Sequence, residues 1–279
     1  MTALQVLRFM RDQEAGVEIK APAGVHATSL LAPDNVTSGR VAAVSARARE
    51  YDDEPDPWSE VWIPTAGSTG TRQPTPRTKG HCRGWLVDPT TNRAVGFEST
   101  HEMRVAAMLM ANRCVVNVED QPQAFSYPGA DGKNHLHTFD YRATYVNGRR
   151  IAIAVKPRKD VEKSGIRSVL KAVRPVLRDF AHEAILLTDV QATNARGWNA
   201  MSILRARRAR NEEDCARMRH LFRSVHGTVH ASHVAAQFGN TAAGMNAIWC
   251  LIYDGVLRHL HPDRKFVDAP YVANVAAIQ

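Results

Sequence analysis

From Gly84 onward, apolar and polar positions fall into short strands, an amphipathic helix and a tight hairpin. Gly84-Trp85-Leu86-Val87-Asp88 predicts a strand, Pro89 to Arg93 a turn, and Ala94-Val95-Gly96-Phe97 a second strand. Ser99 then stands as an N-cap before Thr100 to Met110, and Ser99 with Glu102 forms the S-x-x-E pattern of a capping box. Apolar residues at 105, 106, 108, 109 and 110 give that helix a broad buried face. Cys114 to Val118 and Ala124 to Tyr127 predict further strands, and Pro128 to Lys133 a Gly-rich turn leading to His135-Leu136-His137. Next comes a hairpin: a strand opening at Asp140, a turn at Asn147-Gly148, and a short apolar strand ending at Lys156.

After Pro157, the stretch Val161 to Phe180 predicts a long basic helix broken at Pro175. Ala184 to Asp189 opens with four apolar residues, as suits a buried strand. Strands and helices in this order predict an α/β fold, a mixed sheet flanked by helices over residues 81–197. From Trp198 the pattern turns helical: Ala200 to Arg210, Glu212 to Val225, Ala231 to Phe238, and Ala242 to Tyr253 after a Gly239-Asn240-Thr241 turn. Val256 to Leu260 and Lys265-Phe266-Val267, joined at Pro262-Asp263, predict a two-stranded wing, so residues 198–279 read as a winged-helix domain. Its Ala242 to Tyr253 helix is the expected reader of DNA, with Thr241, Asn246 and Trp249 as its polar or aromatic candidates, of which Trp249 is expected in the core. Arg258, Arg264 and Lys265 are the expected phosphate contacts.

Residues 1–80 carry a weaker pattern. Ala3 to Met10 and Gly39 to Glu50 predict short helices, followed by an acidic, Pro-rich stretch from Tyr51 and a polar run to Gly80, interrupted by Trp58 and Trp62. So little apolar surface does not offset ordering entropy, and an N-terminal arm and Pro-rich linker are expected.

Composition narrows the class. The chain of 279 residues is 44% hydrophobic and 23% charged, without an apolar run of membrane-spanning length. Arg8, Arg11, Asp12 and Glu14 interrupt the N-terminus, unlike a signal peptide, and the four scattered cysteines include no C-x-x-C pair. A cytoplasmic location with reduced thiols is expected. The net charge of +8 implies a polyanionic partner, and the dense run Arg205, Arg207, Arg208, Arg210 points to nucleic acid.

The hairpin is the candidate chemical site. An acid opening one strand and a lysine closing the next meet at one sheet edge, as metal-dependent phosphodiester cleavage requires. There a carboxylate holds Mg²⁺, and an ammonium orients water or offsets phosphate charge. Glu102 is the carboxylate that joins Asp140, unless the cap engages it, and Glu98 lies four residues earlier. His135 and His137 share a face of an extended segment, but without a third ligand at recognisable spacing they favour DNA phosphate or solvent over zinc.

Together, Glu98-Ser99-Thr100-His101-Glu102, Val115-Val116-Asn117-Val118-Glu119-Asp120-Gln121-Pro122, Asp140, Val155-Lys156-Pro157, Leu187-Thr188-Asp189 and Trp198-Asn199-Ala200 resemble the TnsA endonuclease family of the PD-(D/E)xK nuclease superfamily. The resemblance spans roughly Gly84 to Val267. It implies a restriction-endonuclease-like sheet followed by a winged helix. It also implies Mg²⁺ or Mn²⁺ held by Glu102, Asp140 and the Val155 carbonyl, with Lys156 as the catalytic lysine. The implied activity is cleavage of one strand at transposon ends in double-stranded DNA, beside a DDE transposase of the TnsB type and an AAA+ regulator.

Two positions depart from the family pattern. Phe139 replaces the Pro that commonly precedes the aspartate, which alters strand shape and no chemistry. Ala154 stands where the superfamily places Glu, Asp or, in TnsA proteins, Gln, and a methyl ligates no metal. Three alternatives follow: an active endonuclease with weaker metal affinity; a catalytically impaired nuclease fold that binds DNA and assembles with partners; or a restriction, repair or phage nuclease.

Overall fold

The hairpin forms because its turn residues permit it. Tyr141 pairs with Ile153 and Thr144 with Arg150, and the loop closes through Gly148 N–H to the Tyr145 carbonyl at 2.9 Å. Gly148 has φ 77°, the left-handed conformation that glycine adopts without Cβ strain. The computed structural model describes residues 66–71 and 82–275. The short helices expected before Glu50, the tryptophans at 58 and 62, and most of the Pro-rich stretch lie outside the described residues.

Strands β1 (Gly84–Asp88) and β2 (Arg93–Phe97) form a separate antiparallel pair. Helix α1 (Thr100–Met110) follows. The main sheet has the order β3-β6-β7-β8 and comprises β3 (Val115–Asp120), β6 (Tyr141–Tyr145), β7 (Arg150–Val155) and β8 (Glu183–Leu187). The first two pairings are antiparallel and the last is parallel, so the fold is mixed α/β. Between β3 and β6, a two-stranded hairpin of β4 (Phe125–Pro128) and β5 (Asn134–His137) stands apart.

Alternation along β7 gives each face of the sheet its own core. Ile153 and Val155, with Tyr141 and Ala143, pack against Val105, Ala106, Leu109 and Met110 of α1. Ala152 and Ala154, with Ala184 of β8, face Val161, Ile166, Leu170 and Val173. The last four belong to α2 (Val161–Ser164) and α3 (Ile166–Val173), the crossover that makes β7 and β8 parallel.

The long helix expected over 161–180 is therefore interrupted early. Gly165 takes φ 64° between α2 and α3, and α3 stops at Val173, ahead of the 3-10 turn holding Pro175. The left-handed glycine redirects the chain so that Val161 and Ile166 both reach the core.

Asp120 ties the front of the sheet together. It is 2% exposed and accepts hydrogen bonds from Gly96 N (2.8 Å), from Thr69 N and Oγ1, and from Ser68 Oγ. Residues 66–71, which fall in the expected linker, are thereby fixed to β2 and β3.

The C-terminal part contains α4 (Asn194–Arg208), α5 (Glu212–Leu221), α6 (Ala231–Ala235) and α7 (Thr241–Asp254). A three-stranded sheet of order β10-β11-β9 accompanies them: β9 (Thr228–His230), β10 (Leu257–His259) and β11 (Tyr271–Asn274). The described residues all fall in one compact unit. Helix α4 serves two cores, giving Ala200 and Leu204 to the α1 side of the main sheet and Ala206 to the cluster around α7.

The expected wing is corrected here. Lys265-Phe266-Val267 is not a strand. Phe266 is fully buried, 4.5 Å from the Trp249 ring, and its N–H donates to Asn199 Oδ1 at 2.9 Å, so it is held by α4 instead of pairing with β10. The partner of β10 is Tyr271–Asn274. Among the described residues, no helix is long and apolar enough to cross a membrane.

Candidate active site

Glu102 sits at the third position of α1, where the free amides of a helix N-terminus favour an anion. Ser99 Oγ accepts the Glu102 N–H at 3.1 Å and donates to Glu102 Oε1 at 2.9 Å, while Oε2 accepts the Glu98 N–H at 2.8 Å. The cap therefore engages both carboxylate oxygens. The condition set for Glu102 as a ligand, a carboxylate free of the cap, is not met in this structure; each oxygen keeps a lone pair with which it could still bond a cation.

Asp140 lies just before β6. Its N–H donates to the Ile153 carbonyl at 3.0 Å, its carbonyl accepts the Gln121 N–H at 2.9 Å, and its Oδ2 accepts the Val155 N–H at 2.6 Å. Continuing the Tyr141–Ile153 register by one residue places Asp140 across from Ala154. Burial pushes the Asp140 carboxyl up to about 7. The Glu102 charge adds to this and Glu98 adds a little more, while Lys156 and the Val155 N–H pull the other way. Glu98, Glu102, Asp140 and Lys156 thus share one field, with more acid than ammonium.

Tyr141 fixes the two carboxylate-bearing elements relative to each other. It is 1% exposed, and its hydroxyl donates to the carbonyls of Gly96 (3.0 Å) and Glu102 (3.2 Å), tying β6 to the base of α1. Lys156 follows β7 and is held through its N–H to the Leu187 carbonyl at 3.1 Å.

Two further residues lie at this edge, Asp189, which the sequence offers only within a family motif, and His137, which it offers as a surface contact. Asp189, just past β8, accepts the Arg158 N–H at 2.6 Å. That hydrogen bond holds its carboxyl below the usual range, with smaller help from its own backbone and from His101 and Arg158. An acid just beyond the carboxyl end of a parallel strand was the available signal. His137, expected as a surface contact, is instead half-buried, edge-on to Phe139 with ring centroids 4.7 Å apart. Burial and then the Lys156 charge lower its pKa, and its Nε2 is buried without a hydrogen-bond partner among the described residues. His135 instead pairs with Asp131 at 2.9 Å.

A hard divalent cation fits this donor set by charge and by chemistry: oxygen ligands and an excess of negative charge that a cation would relieve. Glu102 and Asp140 would hold it. Ala154 adds nothing, since it is 1% exposed in the core with Phe139 and Val161. Among the described residues, no group of three or more His, Cys, Asp or Glu side chains is placed to hold a metal ion. Water and substrate phosphate would complete the shell, as is common for Mg²⁺. A cavity of about 360 Å³ between α1, α4 and α7 is lined by none of these residues.

No protein-family profile matches the chain, and no curated protein matches it.

Of the residues expected to touch DNA from the C-terminal part, Thr241, Arg258 and Arg264 are exposed, whereas Asn246 and Trp249 are engaged within the protein. Helix α7 buries Gly244, Ala247, Ile248, Trp249, Cys250 and Leu251. Asn246 Nδ2 donates to the Ala209 carbonyl at 2.7 Å, so it closes the end of α4 instead of facing outward. Three arginines of the dense run are engaged by neighbouring groups, while Arg205 stays exposed. Arg207 reaches the Met110 carbonyl and Thr90 Oγ1 and lies 3.9 Å over the Tyr253 ring; Arg208 reaches the Val87 carbonyl; and Arg210 grips Asp254 with two nitrogens at 3.0 and 2.9 Å.

Proposed function

We propose that this chain is a TnsA-like, Mg²⁺-dependent DNA endonuclease, the strand-cutting subunit of a heteromeric transposase. The observation that carries this reading is the convergence of Glu102, Asp140 and Lys156 at the open end of the hairpin, with Asp140 raised to about 7 by burial and by the Glu102 and Glu98 charges. The four-stranded mixed sheet with helices on both faces supports a restriction-endonuclease-like fold. The succession α5, β9, α6, α7, β10, β11, with β11 central in its sheet, supports a winged helix.

Each residue has a definite task in this reading. Asp140 and Glu102 hold the cation, and the Val155 N–H and the Ser99 hydroxyl fix the orientation of those carboxylates. Lys156 places a positive charge beside the phosphate and offsets charge developing on it. Bound Mg²⁺ supplies Lewis acidity toward the phosphate and lowers the pKa of an attacking water.

A second reading is favoured by one observation. Ala154 is fully enclosed and offers no ligand, which supports a nuclease-like scaffold that binds DNA and its partners without cutting.

Supercoiled plasmid bearing the element's ends, incubated with protein and Mg²⁺ or Mn²⁺, with and without the partner transposase, tests both readings. Nicking that disappears in Asp140→Ala and Glu102→Ala supports the endonuclease. Salt-sensitive DNA binding without nicking under any of these conditions supports the scaffold. A DDE transposase and an AAA+ ATPase encoded next door favour transposition over restriction or repair.

A further inference from the structure

Part of the exposed positive charge lies away from the dense arginine run. With Arg207, Arg208 and Arg210 engaged internally, a different set remains outward on the crossover between β7 and β8. Lys159, Lys163, Arg167, Lys171 and Arg178 are all exposed. The side chains of Lys159, Lys163, Lys171 and Arg178 make no hydrogen bond or ion pair among the described residues. Arg167 pairs only with Glu162, at 3.1 Å and with both side chains largely in solvent, an interaction of little strength.

The helix beneath these cations is built to face one way. Ile166, Leu170 and Val173 of α3 are buried against Ala152, Ala154 and Ala184. Arg167, Lys171 and Arg174 repeat the same spacing one residue on, about 100° around from the buried stripe, and all three are exposed. Arg174 is partly engaged, donating to the Ala184 carbonyl at 3.1 Å.

Placement gives the ridge its meaning. It starts three residues beyond Lys156, and because β7 and β8 are parallel, α2 and α3 must run back along the sheet from the candidate site. Helix α3 is roughly 12 Å long, enough to lie along more than one phosphate of a DNA strand.

We propose that Lys159, Lys163, Arg167 and Lys171 form the track on which the phosphate backbone of duplex DNA lies as it enters the Asp140–Lys156 site. The proposal rests on the nuclease reading for its partner. An anionic membrane is a poor occupant, because an interfacial helix needs large apolar side chains at its surface. Among the described residues, the exposed large hydrophobic side chains are Trp85, Val116, Leu136, Val146, Val190, Val267 and Tyr271, none of them on the crossover.

The test measures binding apart from cleavage. Affinity of the full chain for a fluorescent duplex is followed by anisotropy in EDTA over a series of salt concentrations. Wild type is compared with the triple variant Lys163→Ala/Arg167→Ala/Lys171→Ala and with Arg205→Ala as an exposed control on α4. The triple variant is expected to flatten the plot of log affinity against log salt by about 0.9 for each phosphate it no longer neutralises, with an unchanged melting temperature. Arg205→Ala is expected to match wild type.

An unchanged slope in the triple variant, with wild-type affinity retained, overturns the track and leaves the nuclease reading standing. Equal loss for single-stranded and duplex probes overturns the duplex assignment. A flattened slope in a protein that never nicks DNA supports the track while removing the nuclease.

Discussion

The Val155 amide donates to Asp140 Oδ2 at 2.6 Å across the open end of the hairpin, binding the candidate ligand to the strand that carries Lys156. This bond favours an ionised Asp140, yet burial and the Glu102 and Glu98 charges outweigh it and the carboxyl rises to about 7 from an ordinary 3.8. Between roughly pH 4 and 7 the folded chain therefore retains a proton that the unfolded chain has released. Metal-free stability falls as pH rises through that window, and the loss is complete above the folded pKa.

Asp140→Asn removes this titration. At pH 8 without metal, the variant is expected to be more stable than wild type by on the order of 2–4 kcal/mol, with the difference closing below about pH 4. Urea denaturation at both pH values measures it. Added Mg²⁺ is expected to raise the wild-type melting temperature and leave Asp140→Asn unmoved. Equal pH profiles for the two proteins would show that Asp140 ionises normally.

Glu102 has two roles that one pair of substitutions separates. Glutamine preserves the capping-box geometry and deletes the charge, whereas alanine deletes both. Glu102→Gln is expected to hold stability within about 1 kcal/mol while nicking falls at least 100-fold; Glu102→Ala should lose nicking and a further ~1 kcal/mol. Thermal melts beside a plasmid-nicking assay read both effects, and full nicking by Glu102→Gln would reduce this residue to a cap.

Ala154 packs among Phe139, Val161 and Ile166, so a longer polar side chain there must enter an apolar core. Ala154→Glu is expected to cost about 2–4 kcal/mol in metal-free buffer through overpacking and carboxylate desolvation. Part of that loss returns with Mg²⁺ if the new carboxylate reaches the cation. A melting temperature as low in Mg²⁺ as in EDTA would place position 154 out of ligand range.

Arg210 and Asp254 form a two-point pair between the end of α4 and the end of α7, with Arg219 at 3.4 Å as an additional partner of Asp254. Arg210→Ala is expected to lower stability by about 1–3 kcal/mol and leave the salt dependence of DNA binding unchanged. A shallower salt slope in this variant would return the arginine run to the DNA interface.

Local pattern carried much of the fold. The Asn147-Gly148 turn, the Ser99–Glu102 cap and the apolar strand before Lys156 depend on neighbours within a few residues, and each forms where the sequence places it. What escaped depended on distant partners. Phe266 has β propensity, but Asn199 takes its amide. Asn246 looks like a base reader until the Ala209 carbonyl engages it. The arginines at 207, 208 and 210 suggested a DNA face and instead bind carbonyls, a ring and a carboxylate far along the chain. At the candidate site, Asp140 and Lys156 follow from hairpin pairing, whereas Asp189 and His137 join only when β8 and β5 are in place.

Helix α4 also bears on how this protein is divided. Because Leu204 and Ala200 complete the core behind α1 while Ala206 belongs to the cluster around α7, a truncation after residue 197 would strip the sheet of a wall. The two parts of this unit therefore share one wall, and neither core closes without the helix between them.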